Sequence, residues 1–289
     1  MPPAEVEVSA DLVFRLLTTQ RPQLAGLEVE LLAHGWDNVS FRVGEELVAR
    51  FPRRQLAVEL LANEARWLPD LARRLPLPIP APVFMGRAEH GYPWPWALVP
   101  WIPGLSAAVS TGLDLTICAS SLWGFLAALH AKAPADAPVY PYRGVPLNTR
   151  DDVTRERIAL LEATTDRRVA LASWDHALGA QQFEDEARWL HGDLHPHNLL
   201  TLDGGLSGVV DFGDISSGDP ATDLAIAWML FPVDTRALFR QEYGGIDEAT
   251  WARARGWAFS LAAYLTRSAD NPVMHAIGLA TMEYVLADG

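Results

Sequence analysis

The sequence predicts an α+β protein in which a smaller N-terminal lobe, an antiparallel sheet plus a helix, precedes a larger, mostly helical C-terminal lobe. Up to about Ala97, short apolar runs bounded by turn residues alternate with one helical stretch. From Asp114 onward, apolar residues recur mainly at helical spacing. With 289 residues, 49% of them hydrophobic and 20% charged, the chain can bury one large core or two smaller ones.

The N-terminal elements are predicted from apolar runs and turn residues. Residues 31–43 have the pattern of strand, turn and strand, with Gly35–Asn38 as the turn. Leu47–Phe51 is predicted as a third strand, and Ala57–Leu68 as a helix. The proline-rich segment Leu75–Val83 should be extended and lead into another strand, because proline disfavours helical conformation in the residue before it.

The C-terminal elements are predicted chiefly from helical periodicity. The first helix after Asp114 should bury one face, which consists of Leu122, Phe125, Leu126 and Leu129. A loop is expected over residues 133–149, and helical segments over 151–162 and 173–190. Residues 206–210 are short and apolar, which favours a strand after the turn residues that precede them.

One stretch of the C-terminal half has the spacing that phosphoryl transfer requires. Residues 191–200 have the sequence His-Gly-Asp-Leu-His-Pro-His-Asn-Leu-Leu, and Asp211-Phe212-Gly213 follows. Phosphoryl transfer needs a carboxylate for the attacking hydroxyl and oxygen ligands for Mg²⁺, which neutralises charge on the phosphates. The spacing of Asp193 and Asn198 matches the catalytic loop D-x-x-x-x-N, and Asp211 begins the metal-binding tripeptide D-F-G.

These motifs resemble those of the aminoglycoside phosphotransferase family, small-molecule kinases that are similar to choline and homoserine kinases. The resemblance rests on His-Gly-Asp-x-His-x-x-Asn and on Gly218–Ala225 after the second motif, and it extends over nearly the whole chain. It implies a bilobal protein-kinase-like fold. It also implies that Asp193 is the catalytic base and that Asn198 and Asp211 are Mg²⁺ ligands. Phe212 is a mild departure, since the family more often has tryptophan there.

The resemblance gives two further residues supporting roles. Asp219–Pro220 is typical of a helix start, which places Asp223 in the first turn. In the family this aspartate braces the catalytic loop, and the alternative is a solvated acid in a first helical turn. His191 is expected to fix the same loop, whereas His195 and His197 could face solvent.

A cation for the nucleotide phosphates is expected from the third strand. The place of the usual lysine is taken by Arg50, and the chain's single lysine, Lys132, lies in the other half. A guanidinium can fork onto phosphate or carboxylate oxygens, and Arg50–Arg54 resembles a branch of the family that includes macrolide kinases. The expected partner on the following helix is Glu64, with Glu59 as a solvated charge.

The resemblance divides the chain into an N-terminal lobe (1–98), a hinge (99–104) and a C-terminal lobe (105–289). The backbone of the hinge, at Val99 and Trp101, is expected to contact the adenine edge. Gly35 and Asn38 lie where a kinase-like fold lays a loop over the phosphates, although no G-x-G-x-x-G pattern is present. The expected donor is ATP, with GTP as an open alternative.

The acceptor is expected to be a hydroxyl of a small molecule, either an aminoglycoside or macrolide antibiotic or a choline-like or homoserine-like metabolite. Candidate contacts from the helical lobe are Trp228, Asp234, Asp247, Glu248 and Trp251, although aromatic residues at helical spacing more often belong to a core. The formal net charge of -13 argues against nucleic acid as a partner and is compatible with a cationic acceptor.

The chain's location and thiol chemistry are also constrained. The longest weakly charged run, 115–131, is too short to span a bilayer, and the chain does not open on a basic and apolar leader, so no membrane partner is expected and the cytoplasm is the expected compartment. The lone Cys118 excludes an internal disulfide and should be a buried, inert thiol.

Two other functions remain open from the residues. His191, Asp193, His195 and His197 are metal-binding residue types in a short stretch, as in zinc hydrolases. That function leaves the Asp-Phe-Gly and Gly-Asp-Pro motifs unexplained. The second is nucleotide binding without catalysis, suggested by Arg50 and the missing glycine pattern. An intact set of acidic and amide residues in the catalytic motif argues against it.

Overall fold

The computed structural model describes residues 3–162 and 165–288, which form two compact units. Unit 1 contains the described residues up to Arg74 together with Pro78–Pro103. Unit 2 contains Leu75–Leu77 and the described residues from Gly104 onward. The predicted α+β class is confirmed, with a strand-rich unit followed by a mostly helical one.

Unit 1 is a five-stranded antiparallel sheet with two helices. Its elements are α1 (Ala10–Gln20), β1 (Val29–His34), β2 (Asn38–Val43), β3 (Leu47–Pro52), α2 (Gln55–Ala72), β4 (Phe84–Gly86) and β5 (Trp96–Pro100). The strand order is β1-β2-β3-β5-β4, and each pair is antiparallel. The predicted strand pair and third strand are confirmed, whereas α1 was not predicted.

The apolar core of unit 1 holds these strands in register. Leu16 and Leu17 of α1 pack into the same buried cluster as Phe51 and Trp96. The rings of Phe51 and Trp96 are stacked, with centroids 5.1 Å apart. Because β3 lies between β2 and β5, this packing fixes the strand that carries Arg50.

Helix α2 is longer than the sequence pattern predicted. A helix is expected to end before a proline, because proline lacks the backbone N–H and crowds the preceding turn. Here α2 continues through Pro69 to Ala72, and the buried Leu68 and Leu71 continue its apolar face across the proline. The predicted end at Leu68 is therefore wrong.

Unit 2 contains eight helices and five short strands among its described residues. They are β6 (Leu105–Ser106), α3 (Leu115–Leu129), α4 (Asp151–Ala159), α5 (Arg167–Leu178), β7 (Arg188–Leu190), β8 (Leu199–Leu202), β9 (Gly205–Val209), β10 (Ser216–Gly218), α6 (Ala221–Leu224), α7 (Ile226–Leu230), α8 (Val233–Tyr243), α9 (Glu248–Leu265) and α10 (Pro272–Ala287). Strands β6, β8 and β9 form one sheet, and β7 pairs with β10 in another.

The helix predicted over residues 173–190 has the wrong bounds: residues 173–178 are helical, but residues 179–190 are not. Helix α5 begins after Asp166, whose side chain accepts a hydrogen bond from the N–H of Arg168, and it ends before Gly179. Arg188–Leu190 is instead β7, paired with β10. This pairing provides backbone hydrogen bonds for the residues directly before the motif at 191–198.

The predictions for α3 and its cysteine are confirmed, whereas the helix predicted over 151–162 is shorter, because α4 ends at Ala159. The four apolar residues of α3 are fully buried, and Asp114 caps that helix by accepting from the N–H groups of Thr116 and Ile117. Cys118 is buried in α3, and burial raises the pKa of its thiol. No helix in the described part of the chain is long and apolar enough to cross a membrane.

Candidate active site

The motif at residues 191–198 forms the connection between β7 and β8, and His191 holds it from inside unit 2. His191 is fully buried, with its ring against that of Phe212 at a centroid distance of 4.5 Å. Its Nδ1 accepts a hydrogen bond from the N–H of Asp193 at 3.2 Å, so that Nε2 carries the proton and donates to the carbonyl of Val210 at 2.9 Å. One ring thus joins the two motifs.

Asp223 binds the backbone of the same loop. Its Oδ2 accepts from the N–H of His191 at 2.8 Å, and its Oδ1 accepts from the N–H of Gly192 at 2.9 Å. His130 Nε2 lies 3.1 Å from Oδ2. Burial would raise the pKa of Asp223, but His130, His191 and the N–H of Gly192 outweigh it and lower the pKa. A solvated acid at this position is therefore wrong, since the side chain is fully buried.

Gly192 allows the loop to approach the residue directly after the Asp211-Phe212-Gly213 motif. Its φ is +88°, a conformation that side-chain-bearing residues seldom adopt. A Cβ atom there would lie 2.3 Å from the carbonyl oxygen of Asp214. The glycine is required by both the backbone conformation and the close contact.

The carboxylate of Asp193 lies between two nitrogen-bearing side chains. Arg143 Nη2 donates to its Oδ1 at 2.7 Å, and His195 Nε2 lies 3.5 Å from its Oδ2. Burial would raise the pKa of Asp193, but His195 and Arg143 outweigh it and hold the pKa well below its usual range. The expectation that His195 faces solvent is wrong, since it is buried, whereas His197 is exposed.

Arg143, Asp214 and His130 were not predicted as site residues. Arg143 Nε lies 3.3 Å from Asp214 Oδ2, so one guanidinium is paired with two carboxylates. Arg143 comes from the irregular segment between α3 and α4, where no periodicity points to a contact with Asp193. Asp214 could have been noticed as a further acid directly after the Asp-Phe-Gly motif.

Asn198 and Asp211 lie at the same end of the β8–β9 ladder. Leu199 pairs with Val209, so the residue before β8 and those after β9 are neighbours. The N–H of Val210 donates to the carbonyl of Asn198 at 2.9 Å. Asn198 Nδ2 donates to the carbonyl of Asp193 at 2.9 Å, so the amide oxygen is the atom through which Asn198 would reach a cation.

The donor set at this end of the ladder fits Mg²⁺. Asp211 is exposed and has φ of +63°, so a carboxylate is presented from a left-handed position. Mg²⁺ typically takes one or two carboxylates together with water and substrate phosphates, rather than a closed set of protein ligands. An amide oxygen and one exposed carboxylate meet that requirement.

The zinc-hydrolase alternative is not supported by the geometry. Both ring nitrogens of His191 are bonded to backbone groups, which leaves neither for a metal. Within residues 3–162 and 165–288, no group of three or more His, Cys, Asp or Glu side chains could hold a metal ion. His191 therefore orders the loop and is not a zinc ligand.

Arg50 and Glu64 form a buried ion pair in unit 1. Arg50, on β3, is 8% exposed and Glu64, on α2, is 1% exposed. The guanidinium of Arg50 makes two hydrogen bonds to the Glu64 carboxylate: Nη1 donates to Oε2, and Nη2 donates to Oε1 at 3.1 Å. Glu59 is exposed, and Lys132 is an exposed residue of unit 2 that pairs with Glu186.

The turn between β1 and β2 is fixed by backbone bonds and by two arginines. The N–H of Gly35 donates to the carbonyl of Asn38 at 2.8 Å. Arg53 Nη1 donates to the carbonyl of Gly35 at 2.8 Å, and Arg54 pairs with Asp37. The turn is therefore tied by two charged side chains to the segment between β3 and α2.

The expected hinge residues lie at the end of β5. Val99 is buried in a cluster with Val48 and Leu61. The guanidinium of Arg42 lies over the Trp101 ring at 4.0 Å, and the N–H of Trp101 donates to the carbonyl of Glu46 at 2.7 Å. This N–H is already bonded, so an adenine could not share it without breaking the contact.

The acceptor candidates divide into two groups. Trp228, Glu248 and Trp251 line a cavity of about 490 Å³ in unit 2, although both indoles are buried. Asp247 caps α9 by accepting from the N–H of Thr250 at 2.6 Å, and Asp234 is exposed in the first turn of α8. The Asp247 carboxylate therefore serves as the N-cap of α9.

A sequence profile of the phosphotransferase enzyme family matches residues 28–257. The chain belongs to this family of small-molecule phosphotransferases, and its architecture is the kinase-like fold of that family. The resemblance inferred from the sequence is confirmed. No curated protein matches the chain in sequence.

Solved structures show the same fold at low identity. The GDP complex of wild-type aminoglycoside 2'-phosphotransferase-IIIa is 22% identical, with a TM-score of 0.71 over 97% of this chain and 99% of that chain. Macrolide 2'-phosphotransferase from Brachybacterium faecium is 20% identical, with a TM-score of 0.62 over 94% and 97%. The streptomycin and ATP ternary complex of APH(2")-IIa is 18% identical, with a TM-score of 0.60 over 95% and 96%.

The contacts of Asp223 generate a stability prediction. Replacing Asp223 with Ala should lower the free energy of unfolding by roughly 3 kcal/mol or more, because two buried backbone N–H groups lose their acceptor and each such loss costs about 1–3 kcal/mol. Denaturant unfolding of Asp223→Ala and of the milder Asp223→Asn measures this. The control is Glu184→Gln, an exposed acid in the same unit, which should stay within about 0.5 kcal/mol of the wild type. Equal stability of all three variants would contradict the bracing role.

Proposed function

We propose that this phosphotransferase moves the γ-phosphoryl group of ATP, or of GTP, onto a hydroxyl of a small molecule. The observation that carries the proposal is the hydrogen-bonded connection of Asp193, Asn198 and the residue before Asp211. The Asn198 side chain donates to the Asp193 carbonyl, and the Asn198 carbonyl accepts from Val210. A carboxylate, an amide oxygen and a second carboxylate are what phosphoryl transfer requires.

In this proposal, Asp193 orients the acceptor hydroxyl and takes its proton as the new oxygen–phosphorus bond forms. The bond between the γ-phosphorus and the β–γ bridging oxygen breaks in the same transfer, and ADP or GDP leaves. A carboxylate with a lowered pKa is a weak base, which suits a loose transition state in which the proton leaves late. Asn198 and Asp211 would hold Mg²⁺, which when bound with the nucleotide neutralises charge on its phosphates. His191 and Asp223 keep the loop in place through the bonds described above.

The residues of unit 1 supply the nucleotide contacts in this proposal. Arg50 would direct its guanidinium to phosphate oxygens while Glu64 fixes its orientation. Gly35 and Asn38, in the turn, would contact the phosphates through the backbone. Val99 and Trp101 would contact the base as part of a hinge over residues 99–104, with the lobes at 1–98 and 105–289. Trp101 would do so through its carbonyl, because its N–H is bonded to the carbonyl of Glu46. One of the similar structures is a GDP complex and another contains ATP, which supports both nucleotides as candidates.

The acceptor class is proposed from the relatives and remains a choice between antibiotics and metabolites. Aminoglycosides and a macrolide are the acceptors named for similar folds, and choline-like and homoserine-like metabolites are the alternative. A role in antibiotic resistance depends on that choice. We place the reaction in the cytoplasm, where ATP and GTP are supplied.

A screen tests the proposal directly. Purified protein with Mg²⁺ and γ-³²P-labelled ATP or GTP is incubated with gentamicin, kanamycin, streptomycin, erythromycin, choline or homoserine. Label transferred to one acceptor class supports the function and selects the class. Nucleotide that is neither consumed nor bound with any of them would contradict the proposal, and binding without turnover would favour the non-catalytic alternative.

Asp193→Asn should abolish most transfer and leave nucleotide binding intact. An amide cannot accept the hydroxyl proton, and loss of a general base typically costs about 100-fold to 10,000-fold in turnover. Steady-state kinetics and calorimetric nucleotide binding measure the two effects. Asp203→Asn, in the exposed turn between β8 and β9, is the control and should keep full turnover. Turnover of Asp193→Asn near that of the control would remove Asp193 from this role.

Asp211→Asn should weaken Mg²⁺-dependent nucleotide binding. Asparagine tolerates the left-handed conformation at this position, so the fold should persist, but the neutral amide is a poorer Mg²⁺ ligand. We expect an affinity loss of about tenfold or more in saturating Mg²⁺, corresponding to about 1.4 kcal/mol. A zinc-selective chelator should leave the wild type active. Inactivation by that chelator would restore the zinc-hydrolase alternative.

Arg50→Lys should retain part of the nucleotide efficiency, and Arg50→Gln combined with Glu64→Gln should retain much less. A lysine keeps one charge without the fork, whereas the double variant removes both charges of the buried pair together and avoids leaving either unpaired. We expect kcat/KM for the nucleotide to fall about tenfold and about 100-fold, respectively, with acceptor KM unchanged. Arg73→Gln, an exposed arginine of unit 1 directly after α2, is the control and should keep the wild-type efficiency. An unchanged double variant would mean that another residue binds the phosphates.

A further inference from the structure

Arg143 is a partly buried cation whose partners are two carboxylates of the candidate site. Its guanidinium is 2.7 Å from Asp193 and 3.3 Å from Asp214, and the side chains of Arg143 and Asp214 are each 19% exposed. Burial would lower the pKa of Arg143, but Asp193 and Asp214 outweigh it and raise the pKa, so the guanidinium stays charged. The roles proposed above for Asp193, Asn198 and Asp211 do not explain why an arginine lies at this position.

The backbone that carries Arg143 is fixed to the segment that carries Asp223. The N–H of Gly144 donates to Thr222 Oγ1 at 3.0 Å, and the carbonyl of Gly144 accepts from the N–H of Asp219 at 2.9 Å. Gly144 has φ of +67°, and a Cβ atom there would lie 2.5 Å from Leu190 Cδ1. The arginine therefore extends from an anchored backbone toward Asp193.

The two oxygens of Asp193 have different surroundings. Oδ1 accepts from Arg143 Nη2, while Oδ2 lies 3.5 Å from His195 Nε2, beyond a normal hydrogen-bond length. A charge-assisted bond on one oxygen fixes the rotation of the carboxylate, and the other oxygen is then held in a defined direction. Asp214 holds the far side of the guanidinium, which limits its movement.

We propose that Arg143 is a positioning residue for phosphoryl transfer: it holds Asp193 by Oδ1, with Asp214 as its anchor, so that Oδ2 is directed to the acceptor hydroxyl. This inference rests on the proposed function, in which Asp193 receives that hydroxyl. Arg143 acts through Asp193 and binds no phosphate. Its loss changes the rate of transfer and not the binding of the nucleotide.

Kinetics of Arg143→Gln test this role. We expect kcat to fall about 100-fold, the effect of misplacing a reacting group by about 1 Å, while the nucleotide KM stays within about twofold. Arg143→Lys should recover part of kcat because an ammonium can reach Oδ1 but not both carboxylates. Arg168→Gln, an exposed arginine of the same unit, is the matched control and should behave as wild type. A nucleotide KM raised as much as kcat is lowered would make Arg143 a phosphate ligand and overturn the proposal.

A double-mutant cycle separates positioning from a general structural effect. If Arg143 acts through Asp193, Arg143→Gln should have little further effect on the residual turnover of Asp193→Asn. The same 100-fold loss in both backgrounds would show independent action and contradict the proposal.

A crystal structure of Arg143→Gln gives a readout that needs no turnover. The Asp193 carboxylate should leave its present orientation while the backbone of residues 191–198 stays in place. An unmoved carboxylate would overturn the positioning role even if the wild type transfers phosphate. A wild type without transfer but with a moved carboxylate in the variant would instead contradict the proposed function alone.

Discussion

The carboxylate of Asp223 is the contact on which the candidate site depends. It accepts hydrogen bonds from the N–H groups of His191 and Gly192, which have no partner in a regular strand or helix. A buried charge is tolerated there because His130 and two backbone dipoles compensate it. The loop consequently has one conformation, and the side chain of Asp193 starts from a fixed backbone.

The loop that Asp223 holds is also bonded to the residues around the Asp211-Phe212-Gly213 motif. His191 links the loop to Val210, and Phe212 is fully buried against the His191 ring. These contacts hold Asp211 in a left-handed conformation that residues other than glycine seldom adopt without support. Unit 1 has its own buried polar contact in Arg50 and Glu64, where each charge is the partner that makes burial of the other tolerable.

The parts of the site that could be predicted are those specified by local sequence. The spacing of Asp193, Asn198 and Asp211 is set by one loop and one hairpin, and Asp203-Gly204 adopts the positive φ values that its turn requires. Arg143 could not be predicted, because its contact with Asp193 joins distant segments and depends on tertiary packing. The helix expected over 173–190 failed for a similar reason: pairing with β10 prevailed over helical periodicity.

We propose above that Asp193, Asn198 and Asp211 form a Mg²⁺-dependent phosphoryl-transfer site. The most direct measurement is a crystal structure of the wild type with Mg²⁺ and a non-hydrolysable ATP analogue. We expect Mg²⁺ about 2.1 Å from an oxygen of Asp211 and from Asn198 Oδ1, with the analogue's phosphates completing its ligands. Mg²⁺ and phosphates bound away from both residues would contradict it.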